Sequence, residues 1–305
     1  MKRRSFFIKS SLGAIGLSLL PHLSWSKESE TNKKINFIKN LVDYGREHLE
    51  LDLKKEFFVN WAEDEELNYF LYLSNTTKIE VPKGIKSYLH FGNDKELAQK
   101  TQREYIEKGF HTLLYTRTGK HQPEITNNLL SYSNEAIAFN TCHEATHMHL
   151  KKHAKISTKL EEAACDVMGT FGAKFYAERN NDLDLKKVEK QNENLEKANV
   201  EINKYAALIS DNTENNDKIH RKLERKLFKI FKDSDNFFKN RFIHPVNNAY
   251  LLMMLNYCSQ YELMKKVAIK DVHINTFLYT LENLPKKEEK AILKLEEKIG
   301  TEAND

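Results

Sequence analysis

The segment Cys142–His153 reads CHEATHMHLKKH and holds four histidines and one glutamate within twelve residues. His143 and His147 are four positions apart, so on a helix both imidazoles project from one face. Apolar residues 136–139 precede them, as in a helix that packs in the protein interior. Two histidines one turn apart supply two of the three protein ligands of a zinc hydrolase. The segment therefore predicts a metal-binding helix.

Glu144 completes the pattern H-E-x-x-H. It is adjacent to the two histidines but points slightly away from them, because each helical residue is rotated by about 100° from the last. We therefore expect its carboxylate to act as a general base that takes the proton of a water molecule, rather than to bind the ion.

His153 is one candidate for the third ligand, since it stands where H-E-x-x-H-x-x-G-x-x-H places its last histidine. That pattern requires glycine where Leu150 stands, because the helix must break there. On a continuous helix, His153 would lie about 15 Å from His143, too far to bind the same ion. His149 faces away from the ligand side and is expected at the surface.

Glu162 is the rival candidate, in the segment LEEAACDVMG of the next predicted helix. Asp166 follows one turn later, where its carboxylate can hold a ligand histidine through the outer ring nitrogen. Glu161 is the nearest competitor, but the residue four positions after it is Cys165 rather than a carboxylate. The predicted set is His143, His147 and Glu162 as ligands of one Zn²⁺, with Asp166 behind them.

The composition favours a mainly helical α+β fold. The 305 residues include only 10 Gly and 5 Pro, and 30% are charged while 40% are hydrophobic. Residues 67–74, 86–91 and 112–116 are short, rich in aromatics and predict strands. Residues 94–110 predict a helix closed by Gly109, and residues 35–49 predict an amphipathic helix. A small N-terminal sheet with helices therefore precedes the motif helix.

Residues 185–233 carry apolar positions at helical spacing among many charges, and the polar tract SDNTENND divides them. This pattern predicts a long helical hairpin with solvated outer faces. A buried helix after Pro245 and a Lys/Glu-rich helix complete the chain. We expect residues 27–305 to form a single domain.

Residues 1–26 have the features of an export signal. They combine a basic start, an apolar stretch too short for a stable membrane anchor, and small residues near Ser24 and Ser26. Arg3 and Arg4, followed by Ser-Phe-Phe, resemble the twin-arginine signal, and the alternative is a chance pair in an ordinary secretory signal. The predicted mature chain begins near Lys27, is periplasmic and has no stable membrane span.

The charge balance argues against a nucleic-acid partner. The full chain has 48 basic and 44 acidic residues, and residues 1–26 contain four of the basic ones and no acid. The mature chain is therefore neutral overall and lacks a basic footprint. Cys142, Cys165 and Cys258 follow no C-x-x-C spacing and are expected to be buried free thiols.

The combination of H-E-x-x-H with a downstream glutamate resembles the gluzincin metallopeptidases. The order of elements and the segment NNAYLLMMLNY (residues 247–257) also resemble a family of bacterial exported zinc proteins known as predicted aminopeptidases, over nearly the whole mature length. Two features depart from that family: residues 116–130 replace a TLGWF-x-DP-like segment, and no lipidated cysteine follows the signal. The resemblance implies zinc-dependent hydrolysis of a peptide or protein substrate.

The sequence leaves open the mode of cleavage, the donor that stabilises the oxyanion, and an alternative function. Cleavage as an aminopeptidase or as an endopeptidase depends on whether acidic groups receive a free amino terminus. His244, Tyr250 and Tyr257 are candidates for stabilising the developing oxyanion. The alternative function is a non-catalytic metal-binding, scaffold or chaperone-like exported protein, against which the intact Glu144 argues.

Overall fold

The computed structural model describes residues 20–62, 67–86, 88–118, 124–211, 216–271 and 273–300, with side chains from residue 30 onward except those of Thr118 and Asp211. Most of the predicted export signal lies outside these residues. The described chain is mainly helical with a small sheet, which confirms the predicted α+β class.

The helices are α1 (Leu20–His48), α2 (Lys95–Glu107), α3 (Asn127–Leu130), α4 (Asn134–His153), α5 (Thr158–Arg179), α6 (Leu185–Asp211), α7 (Asn216–Phe231), α8 (Asn236–Phe242), α9 (Asn248–Cys258), α10 (Tyr261–Lys270), α11 (Ile274–Glu282) and α12 (Glu288–Gly300). The strands are β1 (Trp61–Ala62), β2 (Leu67–Asn75), β3 (Tyr88–His90), β4 (Phe110–Thr118) and β5 (Ile125–Thr126). Within the described residues, no helix is both long and apolar enough to cross a membrane.

The three predicted strands form an antiparallel sheet of order β3-β2-β4. Side chains alternate between its faces, and Leu71 and Leu73 are fully buried on one of them. Helix α2 packs on that face, because Gln102 Nε2 donates a hydrogen bond of 3.2 Å to Thr112 Oγ1. The parallel pair of β1 and β5 was not predicted, since two-residue strands carry too little pattern.

Helices α4 and α5 form an antiparallel hairpin with a four-residue connection, residues 154–157. Ser133 and Ser157 cap their N-termini by accepting backbone N–H groups. A Cβ atom at Gly172 would lie 2.7 Å from Cys142 Sγ, and one at Gly169 would lie 3.0 Å from the ring of Phe139. The glycines therefore allow a close approach that brings the α5 carboxylates to the α4 histidines.

Helix α4 continues through Leu150 to His153 without a break. The expected surface position of His149 is wrong, because this side chain is only 5% exposed. Its Nδ1 accepts a hydrogen bond from the Asp52 N–H at 3.0 Å, and its Nε2 lies 2.9 Å from Glu282 Oε1. The segment after α1 and helix α11 thus cover the side of α4 that faces away from the ligands.

The predicted hairpin of residues 185–233 corresponds to α6 and α7, which pack against each other. The predicted helix after Pro245 is α9, whose N-cap Asn247 accepts the Tyr250 N–H. Helix α9 packs against α5, α6 and the sheet, so it reaches the centre of the fold. The sequence predicted one helix over residues 244–267, which the structure divides into α9 and α10, and α11 was not predicted. All three cysteines are buried and free, as predicted.

Candidate metal centre

Three donor atoms from α4 and α5 converge on one point. His143 Nε2 and His147 Nε2 are 3.1 Å apart, and Glu162 Oε2 lies 3.6 Å and 3.3 Å from them respectively. Zinc bonds of about 2.0–2.1 Å in a tetrahedral arrangement separate neighbouring ligand atoms by about 3.3–3.4 Å. The three separations bracket this value. These residues therefore form a buried group that could hold a metal ion.

The burial and the lowered pKa of the Glu162 carboxyl are also compatible with a bound cation. Its Oε2 is buried and makes no hydrogen bond of regular geometry with a described residue. Burial alone would raise the pKa of this carboxyl, but the imidazoles of His143 and His147 hold the pKa well below its usual value. A buried carboxylate oxygen without a hydrogen-bond partner is costly, and a bound cation would remove that cost.

His143 and His147 each have a carboxylate at the outer ring nitrogen. Asp166 Oδ1 lies 2.9 Å from His143 Nδ1, and Glu161 Oε1 lies 2.7 Å from His147 Nδ1. Such partners fix the ring orientation and present Nε2 to the ion. Asp166 thus takes its predicted place. Glu161, considered as a rival ligand in the sequence, instead supports the second histidine.

Arg241 from α8 fixes Asp166 in turn. Its Nη1 and Nη2 donate hydrogen bonds of 3.0 Å and 2.5 Å to the two Asp166 oxygens. Burial opposes the charge of Asp166, but Arg241 and His143 lower the pKa of its carboxyl. No local pattern indicated Arg241 as a site residue, because it lies 75 positions after its partner.

Glu144 lies beside the donor group with its carboxylate available. The residue is half-buried and makes no hydrogen bond or ion pair with another described residue. On an α-helix it is offset by about 100° from His143 and about 60° from His147. This position suits proton transfer next to the ion rather than ligation.

The three candidate oxyanion donors have different environments. Tyr250 is fully buried and its hydroxyl donates to the Phe242 carbonyl at 3.1 Å, so that donor is occupied. His244 Nε2 lies 2.6 Å from the Asn240 carbonyl oxygen. Tyr257 is partly exposed, and burial raises the pKa of its phenol, with a further increase from Glu162. Its ring lies 4.4 Å from the guanidinium carbon of Arg241, so Tyr257 is the candidate next to the residues behind the donor group.

An open cavity of about 250 Å³ lies between α1 and the end of α5. Its lining includes Asp43, Tyr44, Glu47 and Tyr176. None of its lining residues belongs to the donor group or to the carboxylates behind it, so this cavity does not form part of the candidate metal centre.

No family model matches this chain, and no curated protein or solved structure matches it.

Proposed function

We propose that the protein is a zinc metallopeptidase of the gluzincin type. The observation that carries the proposal is the triangle of His143 Nε2, His147 Nε2 and Glu162 Oε2 with the free carboxylate of Glu144 beside it. Two imidazoles and one carboxylate form a donor set that zinc hydrolases use, and three protein ligands leave a position open. A site with a purely structural role would not need an unpaired carboxylate next to its ligands.

Bound zinc would supply Lewis acidity, which polarises a substrate carbonyl and lowers the pKa of water. Glu144 accepts the proton of the attacking water on its carboxylate and then passes it to the leaving amine. Tyr257 can donate a hydrogen bond to the carbonyl oxygen as negative charge develops there. Asp166 and Glu161 keep the two imidazoles in the orientation that binding requires. The signal-like residues 1–26 support a periplasmic location for this reaction.

Replacing Glu144 by Gln tests the proposal, since the change removes the base but no ligand. We expect the variant to retain about one zinc per chain and to lose hydrolysis. Zinc content is measured by mass spectrometry of the purified protein after reloading. Hydrolysis is measured by digestion of a mixed peptide library, and the cleavage positions distinguish amino-terminal trimming from internal cleavage.

His153→Ala is the matched control, because His153 is on the same helix but pairs with Asp52 at 2.7 Å. This variant should keep both zinc and hydrolysis. Loss of zinc in Glu144→Gln would contradict the role given to Glu144. A wild-type protein that holds one zinc and cleaves no peptide would favour the non-catalytic alternative.

A further inference from the structure

One face of the β3-β2-β4 sheet carries aromatic side chains and ends in an arginine. Directly opposed residues of antiparallel strands share a face. The opposed pairs on this face are Asn68 and Arg117, Phe70 and Tyr115, and Tyr72 and Leu113 between β2 and β4, with Phe70 and His90 and Tyr72 and Tyr88 between β2 and β3. The Phe70 ring stacks on His90 with a centroid distance of 4.6 Å. We call Phe70, Tyr72, Tyr88, His90 and Tyr115 the aromatic face.

The aromatic face is partly open to solvent. Tyr88 is 43% exposed, and Phe70, Tyr72 and Tyr115 are half-buried. Helix α2 packs on the opposite face of the sheet through Thr112, as described above. The open aromatic rings are therefore on the side away from α2.

This face borders the end of α8, the helix whose Arg241 holds Asp166 behind the donor group. The Tyr115 ring lies 6.3 Å from the ring of His244, which lies between α8 and α9 and follows Arg241 by three positions. Arg117 follows Tyr115 by two positions in β4, so both side chains project to the same side. Tyr257 raises the pKa of the Arg117 guanidinium, and Glu144 and Glu162 raise this pKa further. Burial of the guanidinium acts in the opposite direction and lowers the pKa. Arg117 therefore projects from the same strand face as Tyr115, beside the segment that follows α8, and the direction of its pKa agrees with this position.

Arg117 and Arg241 differ in what they offer a substrate. The guanidinium of Arg241 is largely buried and already pairs with Asp166. Arg117 is exposed and makes no hydrogen bond or ion pair with another described residue. A planar guanidinium with free donors matches a carboxylate in a bidentate geometry.

We propose that Arg117 binds a carboxylate of the peptide substrate and that the aromatic face receives the neighbouring side chains. This inference rests on the proposed peptidase function and narrows its substrate class to carboxylate-bearing peptides. Arg117 would also repel a free amino terminus at this position, which disfavours amino-terminal trimming. The carboxylate is either the C-terminal group of the peptide or an acidic side chain near the scissile bond.

Three matched peptides separate the two sources. They share one cleavable sequence with a glutamate near the scissile bond: the first has a free C-terminus, the second a C-terminal amide, and the third a glutamine in place of the glutamate. We expect the wild type to prefer the first peptide over one of the others by about 10- to 100-fold in kcat/KM, the range for a charge-assisted hydrogen bond. A preference over the amide identifies the C-terminal group, and a preference over the glutamine peptide identifies the side chain.

Arg117→Met should bring that preference ratio close to one, and Arg117→Lys should restore part of it. The ratio compares two peptides on one protein, so a loss of folded protein lowers both rates equally and leaves the ratio unchanged. Arg103→Met is the matched control, since Arg103 is an exposed arginine on α2, the helix on the opposite face of the sheet. This variant should keep the wild-type ratio.

Binding provides a readout that does not need turnover. Calorimetric titration of zinc-loaded Glu144→Gln protein with the same peptides should show the same preference, and the additional Arg117→Met change should abolish it. A wild type that cleaves all three peptides equally would overturn the role of Arg117 and leave the peptidase proposal standing. Absence of cleavage with a retained, Arg117-dependent binding preference would reject the peptidase proposal and keep the carboxylate site. Equal binding of all three peptides would overturn the inference in either case.

Discussion

Arg241→Met would leave an unbalanced charge in the interior. Asp166 is fully buried, and both of its oxygens accept hydrogen bonds from Arg241. Removing one partner of a buried ion pair costs about 3–5 kcal/mol, because the remaining charge is still desolvated. An unfolding entropy of about 2.1 cal/mol/K per residue amounts to roughly 0.6 kcal/mol/K for a chain of this size, so the Tm should fall by about 5–8 °C.

Thermal unfolding followed by circular dichroism in the presence of a chelator measures this loss without a contribution from bound metal. Asp166→Asn and the double variant complete a mutant cycle, in which the double variant should be more stable than the sum of the single losses predicts. Arg221→Met, at an exposed arginine of α7, is the control and should change the free energy of unfolding by less than about 0.5 kcal/mol. A Tm decrease below about 2 °C for Arg241→Met, or an additive cycle, would refute the reasoning.

Glu162→Ala should remove zinc or weaken its binding severely, whereas His153→Ala should leave zinc binding intact. Metal content is measured after dialysis of both variants. Loss of zinc in His153→Ala but not in Glu162→Ala would show that His153 is the third ligand. Glu161→Gln should weaken zinc binding by about 10- to 100-fold through His147, as measured by competition with a chromogenic chelator; unchanged affinity would contradict its supporting role. Gly172→Ala should cost about 1–3 kcal/mol in urea unfolding, because its new methyl group would meet Cys142.

The sequence predicted what local periodicity determines. His143 and His147 share a face because a helical turn is 3.6 residues long, and Glu162 with Asp166 repeats that spacing on the next helix. The distinct role of Glu161 could not be predicted, because two adjacent carboxylates differ only in how their helix is rotated against α4. That rotation depends on packing at Gly172 and is a property of the tertiary structure.

Contacts between residues far apart in the chain could not be predicted from the sequence. Arg241 and Arg117 lie on a helix and a strand. A periodic pattern can predict where such an element lies in the chain, but it does not predict how the element is oriented relative to the metal centre. The error at His149 has the same origin, since the pattern of one helix does not show that Asp52 and Glu282 cover its far side. The interior of a mainly helical fold is defined by which elements meet. At the metal centre, α4 and α5 are consecutive in the chain, whereas Arg241 on α8 meets Asp166 over 75 positions.

The short connection between α4 and α5 also bears on the order of assembly. The outer contact of His147 closes a loop of 14 positions with Glu161, whereas the contact of Asp166 with Arg241 closes one of 75. Loop-closure entropy makes the longer contact costlier by about 1.5 kcal/mol. We expect the donor group to form among early, local contacts, before α8 and the sheet face are in place. The chain would then acquire its ability to capture a metal ion before its ability to recognise a substrate.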